Sequence, residues 1–233
     1  MDREDLNSLV IKDLNVRYGG YLVIENLRLE LKKGEFVSIV GKSGCGKTTL
    51  LNAIAGFIDY KGGIDKPDEI GFVFQNYAVF PWLNVRNNIC FGLKDTKLVD
   101  HFLKVTSLED KKNKYPFELS GGQVQRVALA RTLAANPELI LMDEPYGALD
   151  VYNREKMQQW LLKIWHEQKK TILFVTHSIE EAIFLSDRTL LIQDKHLTKE
   201  FVISFPRPRR KDIKFDEKFI QLKKKISESI DSQ

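Results

Sequence analysis

The sequence predicts an α/β fold with three parts: a mainly parallel sheet covered by helices, an N-terminal antiparallel β subdomain, and a small helical subdomain. Three observations carry this reading. A dense apolar strand, Phe36 to Val40, runs straight into the glycine-rich loop Gly41-Lys42-Ser43-Gly44-Cys45-Gly46-Lys47-Thr48. Ahead of it, Leu27, Leu29 and Leu31 alternate with polar residues, the period of a strand covered on one face. Beyond residue 120, helical and strand patterns alternate, as parallel pairing through helical crossovers requires.

Taken in order, Leu9 to Arg17 reads as a strand, followed by the alternating leucines and by Phe36 to Val40. A helix is expected over Thr49 to Ala55, with Gly62-Gly63 and Pro67 breaking the pattern before a strand at Ile70 to Phe74. From Asn84 to about Lys112, apolar residues such as Val99, Phe102, Leu103 and Leu108 recur at helical spacings, so the helical subdomain is placed at about 76–136. The second half reads as helix 123–135, strand 139–142, helix 154–168, strand 171–176, helix 179–185, and strands 189–193 and 198–205. Phe215, Phe219, Leu222 and Ile226 then draw one apolar stripe, which predicts an amphipathic helix at about 215–230 packed on its own domain, with binding in a membrane interface as the alternative. The whole chain, 1–233, is expected to be a single domain with no internal repeat.

Composition is that of an ordinary folded protein, 43% hydrophobic and 29% charged. The net charge of +4 is concentrated at the end, where Arg207 to Lys225 holds nine basic and three acidic residues. The rest is slightly acidic, which argues against a broad nucleic-acid-binding face; the basic stretch is read as a solvated flank, with a membrane-surface or partner role as the alternative. Cys45 and Cys90 are too few for a disulfide framework. The opening MDREDLNSL lacks the pattern of a secretory signal, and no run approaches the roughly 18 apolar residues of a membrane span, so the chain is expected to stay inside the cell.

Gly41 to Thr48 fits G-x-x-x-x-G-K-[ST] in the context that motif needs, after a buried strand and at the start of a helix. Its backbone N–H groups can cradle phosphates, Lys47 can reach the outer ones, and Thr48 can hold magnesium. A nucleoside triphosphate with Mg2+ is the implied ligand, and Thr49 opens the helix beside it. Cys45, near a helix start and Lys47, is expected to have a lowered thiol pKa. Next, Leu139-Ile-Leu-Met142 runs into Asp143-Glu144. Adjacent acids on an extended backbone point apart, which assigns Asp143 to the metal and Glu144 to the attacking water. The plainer alternative is that they cap the following turn. His177 ends the strand Ile172 to Thr176, where a neutral imidazole could donate to the γ-phosphate or orient the water, or simply cap. His101, His166 and His196 suggest neither metal nor catalysis.

Together with Gln75, Leu119-Ser120-Gly121-Gly122-Gln123 and the GALD at 147–150, these motifs resemble the ATP-binding-cassette (ABC) ATPases over roughly residues 8–195. The resemblance implies an ABC-type P-loop NTPase core, ATP and Mg2+ as ligand and cofactor, and a head-to-tail homodimer that closes on ATP. It makes Tyr18 the adenine-stacking aromatic, with a core tyrosine as the competing reading. Gln75 becomes the glutamine that reaches magnesium and water, His177 the switch histidine, and Asp150 the acid at the dimer interface. Ser120, Gly121, Gly122 and Gln123 become the signature that meets the ATP of the opposing subunit; the bare N–H groups of a helix start make such an anion site physically reasonable.

A finer resemblance is to the nitrate, sulfonate, taurine and thiamine-precursor importer ATPases, carried by Phe80-Pro81-Trp82-Leu83-Asn84-Val85, by Phe174 to Asp187 and by Phe205-Pro-Arg-Pro-Arg209. It implies an importer subunit working with membrane permease subunits and, indirectly, a solute-binding protein, located peripherally on the cytoplasmic face of the membrane. Trp82 is placed either at the permease contact or in the lobe core. The solute expected by analogy is a small organic or inorganic anion. Thiamine-precursor transport, and a soluble cassette acting on nucleic acid or ribosomes, are the alternatives. Lys42 stands where many relatives have proline and Ser178 where the subgroup usually has aspartate.

Overall fold

The computed structural model describes residues 7–91, 93, 96–147 and 149–231. Ala148 of the GALD stretch, the first six residues, and residues 92, 94 and 95 of the helical lobe lie outside that set. Strands β1 (Asn7–Tyr18), β2 (Tyr21–Lys32) and β4 (Lys61–Asp65) form a three-stranded antiparallel sheet in the order β2-β1-β4. The second sheet joins β3 (Phe36–Val40), β5 (Ile70–Val73), β6 (Leu139–Asp143), β7 (Thr171–Val175), β8 (Arg188–Gln193) and β9 (His196–Val202), in the order β5-β6-β7-β3-β8-β9. It is parallel except for β9, which returns antiparallel along β8.

Strand β4 departs from expectation, because Gly62-Gly63 was read only as a break. The two glycines let this strand approach β1 closely: a Cβ on Gly62 would lie 2.4 Å from the carbonyl oxygen of Asp13, and its φ of 107° is open to glycine alone.

The helices are α1 (Lys47–Ala55), α2 (Val85–Cys90), α3 (Lys97–Val105), α4 (Gly121–Ala134), α5 (Val151–Gln168), α6 (Ile179–Leu185) and α7 (Glu217–Asp231). Period-two alternation splits the parallel sheet between two cores. Val37, Ile39, Leu139, Leu141, Leu173 and Val175 pack with α1 and the antiparallel sheet. Phe36, Val40, Ile140, Met142, Ile172 and Phe174 pack with α2 to α7. Such two-sided burial explains the unbroken apolar runs in these strands.

Helix α7 packs against α6 as the stripe predicts, through Phe219 and Ile226. Phe215 does not join the stripe: it sits in a short turn before α7 and is 84% exposed. The basic stretch is no plain solvated flank either. Arg209 is buried and donates to the carbonyls of Ile183, Phe184 and Ser186, while Arg207 pairs with Asp187 at 2.8 Å. Burial and the neighbouring Arg207 charge pull the Arg209 guanidinium down to about 9.

The parallel order sets the C-terminal ends of β6, β7 and β3 side by side on one sheet edge. Loops leaving such an edge are where α/β folds bind ligands.

Candidate nucleotide site

The loop from Gly41 to Gly46 leaves β3 and enters α1. Gly41 is required by space: a Cβ there would meet the Ile192 carbonyl oxygen at 2.4 Å and Cys45 Sγ at 2.8 Å. Gly46 turns the chain into α1 at a φ of 104°. Lys47 is only 6% exposed and folds back over the loop, with Nζ donating to the carbonyls of Gly41 (2.9 Å) and Lys42 (3.0 Å). Lys42, Ser43 and Gly44 line an adjoining cleft of about 340 Å³, together with Leu22, Val23 and Ile230. Thr49 is half-buried in the first turn of α1.

The expectation of a lowered Cys45 thiol pKa is overturned. Burial raises it, and the opposing pull of Lys47 is the smaller effect. A thiol that loses water has less room for the thiolate's charge, and the helix start does not compensate.

At the end of β6, Asp143 Oδ1 accepts from the Thr48 hydroxyl at 3.2 Å. Burial and the charge of Glu144 push the Asp143 carboxyl up, against the pull of Thr48 and Lys47. The two acids do point apart, but not along an extended backbone: Glu144 has a φ of 44°, the left-handed region. Its N–H bonds the Val175 carbonyl at 2.9 Å, which turns the side chain toward the neighbouring strand end. There Glu144 Oε2 meets His177 Nδ1 at 3.1 Å. With the carboxylate ionised, Nδ1–H is the donor, so a neutral His177 presents Nε2 as an acceptor. In this pose a neutral ring can orient water through an accepting Nε2, whereas a donating Nε2 needs the protonated ring.

Residues from the ends of three strands, β3, β6 and β7, thus converge, Lys47 and Thr48 beside Asp143, and Glu144 beside His177. Gln75 is exposed in the turn after β5, and Tyr18 is 47% exposed at the end of β1, which removes the core-tyrosine reading. Among the described residues, no hydrogen bond joins either of them to the loop.

The second glycine pair lies in the first turn of α4. Ser120 Oγ accepts from the Gln123 N–H at 3.4 Å, and Gln123 Oε1 accepts from the Ser120 N–H at 3.0 Å, a reciprocal cap. A Cβ on Gly121 would meet nothing within 4 Å, whereas one on Gly122 would stand 2.8 Å from Leu149 Cδ2. Asp150 caps α5, accepting from the Asn153 N–H at 3.0 Å and its side-chain amide at 2.6 Å, and these bonds lower its pKa. Trp82 is 69% exposed with its ring against Phe80, so it is not a core residue of the lobe.

A model of the ABC transporter family matches residues 24–147, slightly more than half of the chain. This chain belongs to the ABC transporter family. It is 40% identical over 242 residues to the taurine import ATP-binding protein TauB of Escherichia coli (strain K12), covering 94% of this chain and 95% of that one. TauB of Roseobacter denitrificans is 46% identical over 224 residues, 86% of this chain and 84% of the relative. Among solved structures, the post-hydrolysis dimer of the ATP-binding cassette MJ0796 with ADP and Pi superposes with a TM-score of 0.75 at 34% identity, covering 85% of this chain and all of that one. The cbiO1 protein of Clostridium perfringens gives 0.78 at 25% identity, with 95% of each chain covered.

The chain is accordingly an ABC transporter ATPase. Its donor set fits magnesium as such ATPases use it. Among the described residues no cluster of three or more His, Cys, Asp or Glu could hold a metal alone. Thr48 and Asp143 offer one hydroxyl and one carboxylate, which suits an ion that takes its other ligands from phosphate and water.

Proposed function

We propose that this ATPase powers an importer of a small organic or inorganic anion, of the taurine, sulfonate or nitrate kind, through separate permease subunits served by a solute-binding protein. The near-full-length likeness to taurine import ATP-binding proteins supports this reading. Among the described residues no helix is long and apolar enough to cross a membrane. We accordingly place the protein peripherally, on the cytoplasmic face of the membrane beside its permease. The exposed Trp82, its ring against Phe80, is the permease contact in this reading.

One observation carries the mechanism: the Glu144-His177 contact lies beside the Thr48-Asp143 contact at the mouth of the Lys47 loop. Backbone N–H groups of Gly41 to Thr49 cradle the phosphates, and Lys47 exchanges its loop carbonyls for phosphate oxygens. Thr48, Asp143 and Gln75 would hold magnesium, which would offset charge on the outer phosphates. Glu144 takes the proton from the attacking water, and the Nδ1–H bond of His177 keeps that carboxylate aimed. Tyr18 stacks on adenine.

Ser120, Gly121, Gly122 and Gln123 bind the triphosphate held by a second copy, with Asp150 at the seam, in a head-to-tail homodimer. Removal of the γ-phosphate then releases the pair. The test is co-purification with a candidate permease pair in membranes, followed by solute-stimulated ATP hydrolysis on adding the binding protein. Stimulation by taurine or another small anion is expected. A protein that ignored every permease and instead bound ribosomes would overturn the importer reading.

A further inference from the structure

Beneath the His177 turn lies a buried carboxylate that the mechanism above does not use. Glu181, in the first turn of α6, is 6% exposed. It is not needed as a cap, because Ser178 Oγ already accepts the Glu181 N–H at 3.3 Å. A buried carboxylate costs several kcal/mol unless it is paired, so a residue placed here for packing alone would be apolar.

Its partners run in two directions. Toward the site, Oε2 accepts from the Thr176 hydroxyl at 2.7 Å, and the same hydroxyl accepts from the Ser178 N–H at 3.0 Å. Glu181 therefore holds both residues that flank His177. Away from the site, Oε1 accepts from Gln158 Nε2 at 3.3 Å and faces Arg154 Nε at 3.6 Å. Arg154 donates in turn to the Leu149 carbonyl at 3.0 Å, and Leu149 packs against Gly122 at the start of α4.

We propose that Glu181 is a positioning residue, tying the His177 turn through Arg154 and Leu149 to the first turn of α4, so that occupancy at Gly121-Gly122 sets the pose of His177. The proposal rests on the functional reading above, in which those two ends serve different ATP molecules. The chain of contacts then makes each copy report on its partner's nucleotide to its own histidine.

The linkage has room to tighten. Arg154 Nε, Gln158 Oε1 and the Tyr146 hydroxyl are all buried and lack hydrogen-bond partners, and the Arg154-Glu181 approach is too long for a hydrogen bond. Unfilled donors and acceptors around one carboxylate suit an element with two arrangements, one slack and one closed.

The experiment measures MgATP turnover by the purified full chain and by Glu181→Gln, Arg154→Gln, the double variant and His177→Ala. Glu181→Gln is expected to lower kcat about tenfold with KM changed by less than about twofold, within the usual range of coupling between sites. Arg154→Gln should do the same, and the double variant should be no slower than the worse single one, because both break one chain.

Additive losses, unchanged kcat in either single variant, or an effect confined to KM and thermal stability would overturn the linkage. Arg154, whose side chain is less deeply buried than that of Glu181, keeps the test open should Glu181→Gln fail to fold. His177→Ala separates the two readings. If it turns over normally, the assignment of the site is wrong; if it collapses while Glu181→Gln does not, only the linkage is.

Discussion

The two glycine-rich turns of this protein are built in opposite ways. Gly41 to Thr48 is shaped by distant parts of the chain: Ile192 leaves no room for a side chain at Gly41, Lys47 is buried over the loop, and Thr48 reaches Asp143 from 95 residues away. Ser120 to Gln123 is shaped by itself, through a cap that closes within four residues, and Gly121 faces open space. The first is a finished phosphate cradle. The second, on the function proposed above, is half of one, a helix start whose N–H groups meet phosphate only when a second copy brings it. The difference teaches that a motif with few long-range contacts is best read as a surface waiting for a partner.

The largest predicted effect lies in the first turn's neighbourhood. Glu144→Gln should lower turnover by about 10²- to 10⁴-fold while leaving ATP binding nearly intact, because only the proton acceptor is lost. Single-turnover hydrolysis alongside equilibrium nucleotide binding checks it; normal hydrolysis would remove Glu144 from the mechanism. The same variant with MgATP should sediment as a dimer.

Gly121→Glu probes the second turn. Placed where phosphate is expected, the acid should cut turnover by about 10²-fold or more and abolish ATP-driven dimerisation, with monomer nucleotide affinity unchanged. A loss of monomer affinity would erase the contrast between the two turns. Gly122 is the less clean site, since Leu149 lies where its side chain would go.

Asp143→Asn should act in two directions. The Asp143 carboxyl is pushed up by burial, so the folded protein binds that proton more tightly than the unfolded chain does. Stability therefore falls as pH rises through the window between the unfolded and the folded pKa, and the penalty is fully present at neutral pH. Removing the charge should raise the melting temperature of the nucleotide-free protein at pH 7, by about 2–4 °C for each kcal/mol relieved, and flatten its pH dependence just above the ordinary carboxylate range. Affinity for MgATP should drop. An unchanged thermal profile would mean that Asp143 is better solvated than its burial indicates.

Ser120→Ala is the smallest change. Losing the cap hydroxyl should cost about 1 kcal/mol of stability, seen in urea unfolding, while the turnover defect stays well short of that of Gly121→Glu. A turnover loss equal to the glycine variant's would show that the hydroxyl, rather than the bare backbone, makes the main ligand contact.

Much of this was legible from local chemistry. The order of strands and helices, the phosphate loop and its lysine, the two acids at a strand end, and the capped helix at Ser120 all follow from nearest-neighbour patterns: periodicity, glycine placement and capping residues. Strand β4 was not legible, since a glycine pair reads as a break until β1 is known to lie against it. Nor was the thiol of Cys45, because a helix start and a lysine are visible in sequence whereas loss of water is not. Arg209 looked like one more surface charge until the chain folded its guanidinium under three carbonyls. Glu181 lay within a quoted stretch, yet nothing local marks it as buried or sets it against Arg154.

By itself, then, the sequence determined the family, the fold class, the phosphate loop and the capped glycine turn at Ser120, because each depends on residues within one turn of one another. The tertiary structure decided which carboxylate meets His177, which ring nitrogen faces it, where charge is buried, and how the His177 turn is joined to α4. Those outcomes depend on desolvation and on contacts between residues tens of positions apart, and such distances exist only after the sheet has set its strand order.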